Sequence, residues 1–333
     1  MRITTPRLTQ HVRTVEGRTS GEPVLFVHGN VSSSAFWRDT MAALPEEFRP
    51  LAVDLRGFGE TDPLPVDATR GVRDFSDDVL ELVEALDLAP VHLVGWSMGG
   101  GVVLQLLRDR PAAVRSVTLV NPVSPYGFGG TEGADGRLTH PDGAGSGAGG
   151  ANPDFVARLA AGDMSDEAPT SPRSVFRAAY VKNPVPDEDF YVRAMLTTRT
   201  GEGNYPGDAA TSEAWPHVAP GKSGVLNTLA PTRFRLDDLH EIDPKPPILW
   251  IRGADDQIVS DTSLFDLAHL GALGVVPGSP GTPAQPMVTQ TRAVLERYGR
   301  YREEVLQDCG HSPHLEHPAE FVRLLTGHLR EAR

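Results

Sequence analysis

The sequence predicts an α/β protein built on a mostly parallel central sheet. Short continuous apolar runs, such as residues 24–27 and 117–120, are typical of strands that are buried on both faces of such a sheet. Segments with apolar residues at helical spacing separate these runs, and this alternation is typical of parallel strands joined by helices. Residues 1–20 precede the alternation, and their short alternating segments around Gly17 predict an antiparallel hairpin at one edge of the sheet.

The individual elements can be followed along the chain from these two patterns. We predict strands at residues 24–27, 51–55, 91–94, 117–120, 247–253 and 304–306. We predict helices at residues 36–44, 75–86, 102–107, 154–161, 173–181, 187–196, 262–270, 289–298 and 321–329.

The alternation is interrupted between residues 123 and 245. This stretch contains helical patterns and Pro/Gly-rich turns, so we predict an inserted cap over the strand ends, with a core formed by residues 1–122 and 246–333. Its lead-in, residues 127–150, is so rich in glycine that we expect a mobile loop with no regular element. Such a loop is either a lid beside the site or a linker of no consequence, and both interpretations stay open.

The composition narrows the class of protein. With 333 residues, 39% of them hydrophobic, the chain can bury the core of one large α/β domain with an insertion. A net charge of −13 without a basic cluster argues against nucleic acid and membrane surfaces as partners. The first residues lack the apolar stretch of a signal peptide and no long apolar run follows, so we expect a cytoplasmic protein. Cys309 is the only cysteine, which excludes intrachain disulfides and thiolate metal clusters and favours a small buried residue.

A serine flanked by glycines marks the sharpest corner of the predicted fold. Gly95-Trp96-Ser97-Met98-Gly99 lies where the strand at residues 91–94 meets the helix at residues 102–107. A serine at such a corner must adopt a strained backbone conformation, and the small residues around it let the strand and the helix approach closely. Its hydroxyl then projects at the top of the sheet, as a nucleophile requires. The simpler alternative is a tight turn with an incidental serine.

A serine nucleophile needs a general base. A serine hydroxyl is weakly nucleophilic at neutral pH, so Ser97 requires a base within reach and a group that orients this base. His311 follows the last predicted strand, and Gly310 lets its loop fold back toward Ser97. We therefore predict His311 as the base. His314 and His317 are the competitors, but their place on the run into the terminal helix favours a solvated or capping role.

Two adjacent carboxylates follow the predicted strand that ends at Gly253. Asp256 lies three residues beyond this glycine and can turn its side chain back over the sheet, with Val259 packed beneath it. We predict Asp256 as the orienting acid, with Asp255 as the alternative whose other role would be to cap the loop. The preceding strand ends at Asn121, which carries no charge and so cannot stabilise an imidazolium.

The order Ser97, Asp256, His311 on a parallel sheet resembles that of the α/β-hydrolase superfamily. The resemblance runs from about residue 24 to the C-terminus, apart from the insertion. It rests on five motifs: His28-Gly29-Asn30, Asp54-Leu55-Arg56-Gly57-Phe58-Gly59, Gly95-Trp96-Ser97-Met98-Gly99, Gly253-x-x-Asp256-x-x-Val259 and Gly310-His311. It implies an α/β-hydrolase fold with flanking helices and a mainly helical cap.

The resemblance also implies that the backbone N–H groups of Met98 and Asn30 form an oxyanion hole. Met98 is favoured independently, because a helix N-terminus offers unpaired donors where negative charge develops.

Two further motif residues invite functional interpretations. In this fold His28 and Asp54 are expected to be structural, with His28 holding the loop that follows it and Asp54 fixing the turn at residues 56–59. The stretch at residues 28–34 is also similar to the corresponding loop of haloalkane dehalogenases. Those enzymes need an aspartate nucleophile, whereas this chain has Ser97.

These residues predict a serine hydrolase that cleaves a carboxylic ester or a lactone through an acyl-enzyme, without a metal or organic cofactor. Related enzymes with a similar triad hydrolyse carbon–carbon bonds or act as cofactor-free haloperoxidases or perhydrolases. A third possibility, from another class of protein, is a hydrolase-fold receptor for a small ligand. The sequence does not separate these alternatives and carries no signal for an oligomeric state.

The expected pocket lies between the top of the sheet and the insertion. No basic residue is clearly placed to read a carboxylate or phosphate, so we expect a neutral, medium-sized and partly apolar substrate. The candidate pocket residues are Trp96, Phe155, Tyr180, Tyr191 and Trp215.

Overall fold

The computed structural model describes residues 1–332 and is organised around one eight-stranded sheet. Arg333, the last residue of the predicted core range, lies outside the described residues. The strands in chain order are β1 (Arg2–Thr4), β2 (Thr9–Thr14), β3 (Glu22–Val27), β4 (Phe48–Val53), β5 (Val91–Trp96), β6 (Val114–Val120), β7 (Thr131–Glu132), β8 (Arg137–Leu138), β9 (Ala209–Thr211), β10 (Val218–Pro220), β11 (Ile248–Gly253) and β12 (Tyr301–Leu306).

The large sheet has the strand order β1-β2-β4-β3-β5-β6-β11-β12. From β4 to β12 every neighbouring pair is parallel, whereas β1 and β2 pair with each other and β2 pairs with β4 in antiparallel fashion. The predicted α/β class is confirmed. An antiparallel hairpin does lie at one edge, but its turn falls between Thr4 and Thr9 rather than around Gly17, which follows β2. In the centre of the sheet every residue of β5 is buried, which explains its continuous apolar run.

Helices flank the sheet and also form part of the segment inserted into it. Their bounds are α1 (Arg38–Ala43), α2 (Arg73–Ala85), α3 (Met98–Asp109), α4 (Pro153–Ala161), α5 (Pro172–Val175), α6 (Glu188–Met195), α7 (Leu267–Ala272), α8 (Met287–Tyr298), α9 (Pro313–Glu316) and α10 (Pro318–Glu331). Within residues 1–332, none of the helices combines the length and the apolar character needed to cross a bilayer.

Two predicted helices differ from the structure. The helix expected at residues 173–181 is a short α5 that continues into a π-helix at Phe176–Tyr180. The helix expected at residues 262–270 begins only at Leu267, because the Asp266 side chain caps its first turn by accepting from the N–H of Ala268 at 3.1 Å. The residues before Asp266 form turns instead.

The inserted segment, residues 123–245, leaves the sheet after β6 and returns at β11, although these two strands are direct neighbours. Of the described residues, those from 123 to 245 contribute no strand to the large sheet. They contain helices α4 to α6, the π-helix and two small antiparallel pairs, β7 with β8 and β9 with β10.

The glycine-rich lead-in is more ordered than its composition predicts. The expectation that residues 127–150 hold no regular element is wrong, since β7 and β8 form a short hairpin there. Two buried glutamines pin the segment to the sheet domain. Gln285 accepts from the N–H of Gly129 at 2.6 Å, and Gln290 donates to the carbonyl of Gly133 at 3.0 Å. These partners lie more than 150 positions away along the chain.

Candidate active site

Ser97 occupies the corner between β5 and α3. Its backbone has φ 56° and ψ −120°, a left-handed conformation that a non-glycine residue adopts only under strain. The corner is also too tight for side chains at its neighbours: a Cβ on Gly99 would lie 2.5 Å from the carbonyl oxygens of Val27 and His28. The local sequence therefore produces the strained strand–turn–helix corner that the motif predicts.

His311 and Asp256 form a buried hydrogen-bonded pair. The Nδ1 atom of His311 lies 2.8 Å from Oδ2 of Asp256, and both side chains are almost wholly buried. The other carboxylate oxygen, Oδ1, accepts from the N–H groups of Ile258 at 2.7 Å and Val259 at 3.1 Å. The backbone thus fixes the carboxylate so that one oxygen faces the imidazole.

Asp255 points away from this pair. Its side chain is 40% exposed and binds Nζ of Lys182 at 2.9 Å. The same ammonium group lies 2.9 Å from Asp308, on the loop that leads to His311. Hydrogen bonds to Asp255 and Asp308 raise the pKa of Lys182, so its ammonium group stays charged at neutral pH.

Glu316 holds the loop of His311 from the other side. Its carboxylate accepts from the N–H of Gly310 at 2.9 Å and from the N–H of Lys182 at 2.7 Å. The chain near Lys182 is therefore tied both to the loop of His311 and to Asp255. This contact connects the inserted segment with the loops that carry the candidate acid and base.

Asn121 carries no charge and so was not a candidate acid, but its side chain braces the ends of the strands. Its Nδ2 donates to the carbonyl of Gly310 at 3.0 Å, and its Oδ1 accepts from the N–H of Gly253 at 2.9 Å. The residue lies at the end of β6 with φ 37°. One buried amide thus joins the carboxyl ends of three neighbouring strands. A polar residue directly after a buried strand is the sequence signal for this role.

The two competing histidines lie elsewhere. The expected solvated or capping role of His314 is wrong, since this ring is buried 4.3 Å from the ring of Trp37 and 4.9 Å from that of Trp96. Burial lowers the pKa of His314 to about 3 and keeps the ring neutral. His314 lies in the first turn of α9, and its ring packs into the core rather than toward solvent. His317 lies at the surface, with Nε2 3.1 Å from the carbonyl of Asp308.

The loop after β3 lies directly beside Ser97. A Cβ on Gly29 would lie 2.9 Å from the Cβ of Ser97, so the loop approaches the corner closely. Val31 has φ 44°, a strained conformation for a β-branched residue. The hydroxyl of Tyr180, in the inserted segment, donates to the carbonyls of Asn30 at 3.0 Å and Val31 at 3.3 Å. Tyr180 therefore fastens the strained turn from above.

His28 and Asp54 make the structural contacts that were expected. Nε2 of His28 accepts from the N–H of Leu55 at 3.0 Å, which leaves Nδ1 to donate to the carbonyl of Gly29 at 2.7 Å. Burial lowers the pKa of His28, so the ring stays neutral. Burial alone would raise the pKa of Asp54, but the hydrogen bond with His11 and other contacts outweigh it and lower the value to about 2.

A cavity of about 360 Å³ lies between the sheet and the inserted segment and reaches Ser97 and His311. Asn30 and Met98, the candidate oxyanion residues, also line it. Met98 is the first residue of α3, where a backbone N–H has no partner within the helix. Most of the wall is apolar, and of its lining residues, all of which the structure describes, none is Asp, Glu, Lys or Arg.

The candidate pocket residues divide into two groups. Phe155 and Tyr180 line the cavity. Trp96, Tyr191 and Trp215 do not, because each ring is engaged elsewhere. Trp96 is fully buried and donates to the carbonyl of His311 at 2.8 Å. Tyr191 donates its hydroxyl to a carboxylate at 3.0 Å, and the Trp215 indole donates to a backbone carbonyl at 2.9 Å.

The lead-in loop forms part of the cavity wall. Gly145, Ser146, Gly147 and Gly150 lie along it. The segment is therefore more than a remote linker, since it shapes the space above Ser97. Cys309 is buried, as expected, and burial raises the pKa of its thiol. Within residues 1–332 no group of three or more His, Cys, Asp or Glu side chains is arranged to hold a metal ion.

Comparison with known proteins places this fold and corner in a family. A family model described as the alpha/beta hydrolase fold matches residues 22–318. The chain therefore belongs to the α/β-hydrolase family, as its motifs predicted.

Individual relatives match the chain less completely. The putative carbamate hydrolase RutD of Variovorax paradoxus is 42% identical over 108 residues, which cover 32% of this chain and 40% of that protein. Among solved structures, a putative aryl esterase from Burkholderia cenocepacia has a TM-score of 0.63 at 18% identity and covers 100% of this chain and 98% of its own. An esterase from Exiguobacterium antarcticum has a TM-score of 0.62 at 17% identity, with 99% of both chains covered. These two structures share the fold of the chain.

Proposed function

We propose that this protein is a serine hydrolase that cleaves a carboxylic ester or a lactone through an acyl-enzyme. The observation that carries the proposal is the convergence of the strained Ser97 corner and the buried His311–Asp256 pair on one cavity. The division into a hydrolase core and an inserted cap, residues 123–245, is part of the same proposal.

His311 acts as the general base. The contact between its Nδ1 and Asp256 directs that N–H to the carboxylate and leaves Nε2 as the acceptor for the Ser97 proton. Asp256 fixes this tautomer and stabilises the imidazolium that forms. Ser97 Oγ then attacks the ester carbonyl, and His311 returns the proton to the departing alcohol.

The backbone N–H groups of Met98 and Asn30 stabilise the oxyanion of the tetrahedral intermediate. Met98 contributes a free N–H and the positive end of the α3 dipole. Removing one such donor typically costs about 3 kcal/mol of transition-state stabilisation. Water then attacks the acyl-enzyme with His311 again as the base, which releases the acid and restores Ser97.

The cavity wall favours an uncharged, partly apolar substrate. Its residues carry no full charge, and the net charge of −13 on the whole chain disfavours anionic ligands. The esterase and hydrolase names of the similar proteins support an ester-cleaving activity. We place the substrate between the sheet top and the insertion, with its carbonyl at Ser97.

The test is Ser97→Ala with p-nitrophenyl butyrate and a fluorophosphonate label. The variant should lose ester hydrolysis and covalent labelling while its Tm stays unchanged, because the corner tolerates a smaller side chain. Ser146→Ala is the matched control, since Ser146 lines the same cavity and its hydroxyl donates only to the carbonyl of Gly143 in its own loop. Hydrolysis that persists in Ser97→Ala would refute the assignment.

A further inference from the structure

The turn that follows Asp256 has an inverted pattern of burial. Ser263 and Asp266 are 0% and 1% exposed, whereas Leu264 and Phe265 between them are each 45% exposed. Polar side chains usually face water, and large apolar side chains usually leave it. Adjacent exposed apolar residues at a cavity mouth indicate a binding surface.

The turn is braced so that the two apolar side chains stay outside. Ser263 donates to the carbonyl of Ile258 at 2.6 Å and accepts from the N–H of Phe265 at 3.1 Å. Asp266 accepts from the N–H of Gln285 at 2.8 Å in addition to capping α7. The buried polar side chains therefore fix the backbone, and the exposure of Leu264 is a consequence of this framework.

Leu264 and Phe265 are continuous with the cavity. Both line the same space as Ser97 and His311. The same cavity is also lined by the apolar side chains of Ile258, Val259, Leu267 and Leu270. An apolar track thus leads from the reacting centre to the protein surface.

We propose that Leu264 and Phe265 form a subsite for an apolar chain of the substrate that extends beyond the cavity. This inference rests on the ester hydrolase function proposed above and names its substrate class, which is an uncharged ester with a medium to long aliphatic chain. A cavity of about 360 Å³ is small for a ligand pocket, which typically measures roughly 300–1,000 Å³. A chain that outgrows it reaches the two exposed side chains.

The occupant is a substrate chain rather than a second protein, because both side chains form part of the cavity wall itself. The aliphatic chain belongs either to the acid or to the alcohol of the ester, since an apolar chain on either side of the ester bond can contact the two side chains. Full burial of one methylene group contributes about fourfold to binding. The wild-type kcat/KM should therefore rise with chain length by up to this factor for each added carbon.

The experiment compares two double variants. Leu264→Ser with Phe265→Ser removes the proposed subsite at exposed positions, so the fold is retained. Leu273→Ser with Val275→Ser is the matched control, because these residues are 57% and 64% exposed, follow the end of α7 and do not line the cavity. Each variant is assayed with p-nitrophenyl acetate, butyrate, octanoate and decanoate and with a series of alkyl acetates.

The subsite variant should keep kcat/KM for acetate within about twofold and lose about tenfold or more for decanoate. A loss confined to the p-nitrophenyl series assigns the subsite to the acyl chain, and a loss confined to the alkyl acetates assigns it to the alcohol chain. The control variant should follow the wild-type profile in both series.

Three results would overturn the subsite. They are a flat chain-length profile in the wild type, an equal loss for every ester in the subsite variant, or the same loss in the control. In each case ester hydrolysis that depends on Ser97 remains intact. The subsite proposal is then refuted while the proposed function stands. A wild-type protein that hydrolyses no ester of either series refutes the proposed function and the subsite together.

Discussion

The two walls of the cavity are built in different ways. The sheet wall carries Ser97, Asp256 and His311 on short loops that directly follow strands, and contacts near the strand ends hold them. The opposite wall consists of the inserted segment, whose lead-in is held by Gln285 and Gln290 from far along the chain. The residues proposed for the chemistry thus follow strand ends directly, and contacts from both near and far along the chain hold them. The space above them depends on contacts from far along the chain.

The largest difference in activity should come from replacing each of the two neighbouring aspartates on the sheet wall with asparagine in turn. Asp256→Asn should lower kcat by a factor on the order of 10⁴, because an amide holds the wrong tautomer of His311 and cannot stabilise its protonated form. Asp255→Asn should change kcat by less than about threefold, since Asp255 makes only an exposed ion pair with Lys182. Steady-state kinetics on both variants measures the difference, and the reverse result would move the acid by one residue.

An intermediate effect should come from the contact between the two walls. Tyr180→Phe removes the hydroxyl that fastens the turn at Asn30 and Val31, so the proposed oxyanion donor is less well held. We expect kcat to fall about tenfold with KM nearly unchanged, because a less well held donor stabilises the transition state less without changing how the substrate binds.

Tyr191→Phe is the control for this prediction. Tyr191 stacks in the same aromatic cluster at 6.0 Å from Phe176, but its hydroxyl binds Asp39 outside the cavity. Its kcat should stay at the wild-type value. A larger effect on KM than on kcat in Tyr180→Phe would mean that the hydroxyl contacts substrate instead of positioning the loop.

A smaller effect on activity should follow from loosening the inserted wall alone. Gln290→Ala removes contacts to Thr131 and Gly133 in the lead-in and to Ser124 near the start of the inserted segment. We expect KM to rise severalfold with little change in kcat, together with a Tm lower by a few degrees. Gln105→Ala, at an equally buried glutamine of α3, should lower Tm without changing KM. Equal KM values in both variants would contradict the role of Gln290 in the wall.

The smallest effect on activity, measured at pH 8, should come from replacing His314, a buried histidine of the sheet wall. The folded pKa of His314 is about 3, below the ordinary value of about 6.5, so only the unfolded chain takes up this proton as the pH falls below 6.5. His314 thereby lowers the free energy of unfolding by about 2 kcal/mol at pH 5, and none of this loss is present at pH 8.

His314→Phe tests this prediction, because neither ring nitrogen has a hydrogen-bond partner among the described residues. The free energy of unfolding is measured with denaturant at pH 8 and at pH 5. Its difference between the two pH values should be about 2 kcal/mol smaller in the variant than in the wild type. An unchanged difference would show that His314 does not carry this pH dependence.

The comparison of the two walls also explains what the sequence could predict. The Ser97 corner, the pair of His311 and Asp256 and the positions of the central strands along the chain depend on patterns a few residues long, and such patterns are visible in one sequence. Motif spacing even favoured Asp256 over Asp255, because the turn after β11 brings the third residue back over the sheet.

Other features depend on partners that are distant in sequence. The burial of His314 depends on two tryptophan rings, and the order in residues 127–150 depends on Gln285 and Gln290. Composition alone predicted a mobile loop there, since it contains no information on those anchors. Trp96 was chosen for its position beside Ser97, and Tyr191 and Trp215 were chosen for their apolar rings. Each has a hydrogen-bonding partner that turns it away from the cavity.

The bridge at Lys182 has a mechanical consequence. Because Lys182 is tied to Asp255 and Asp308, and Glu316 ties the same stretch to Gly310, a pull on the inserted segment is transmitted to the loops on both sides of the His311–Asp256 pair. If the segment swings outward to admit a molecule, it carries these loops with it. The tether would thus couple a displacement of the inserted segment to the positions of the two loops that carry the pair.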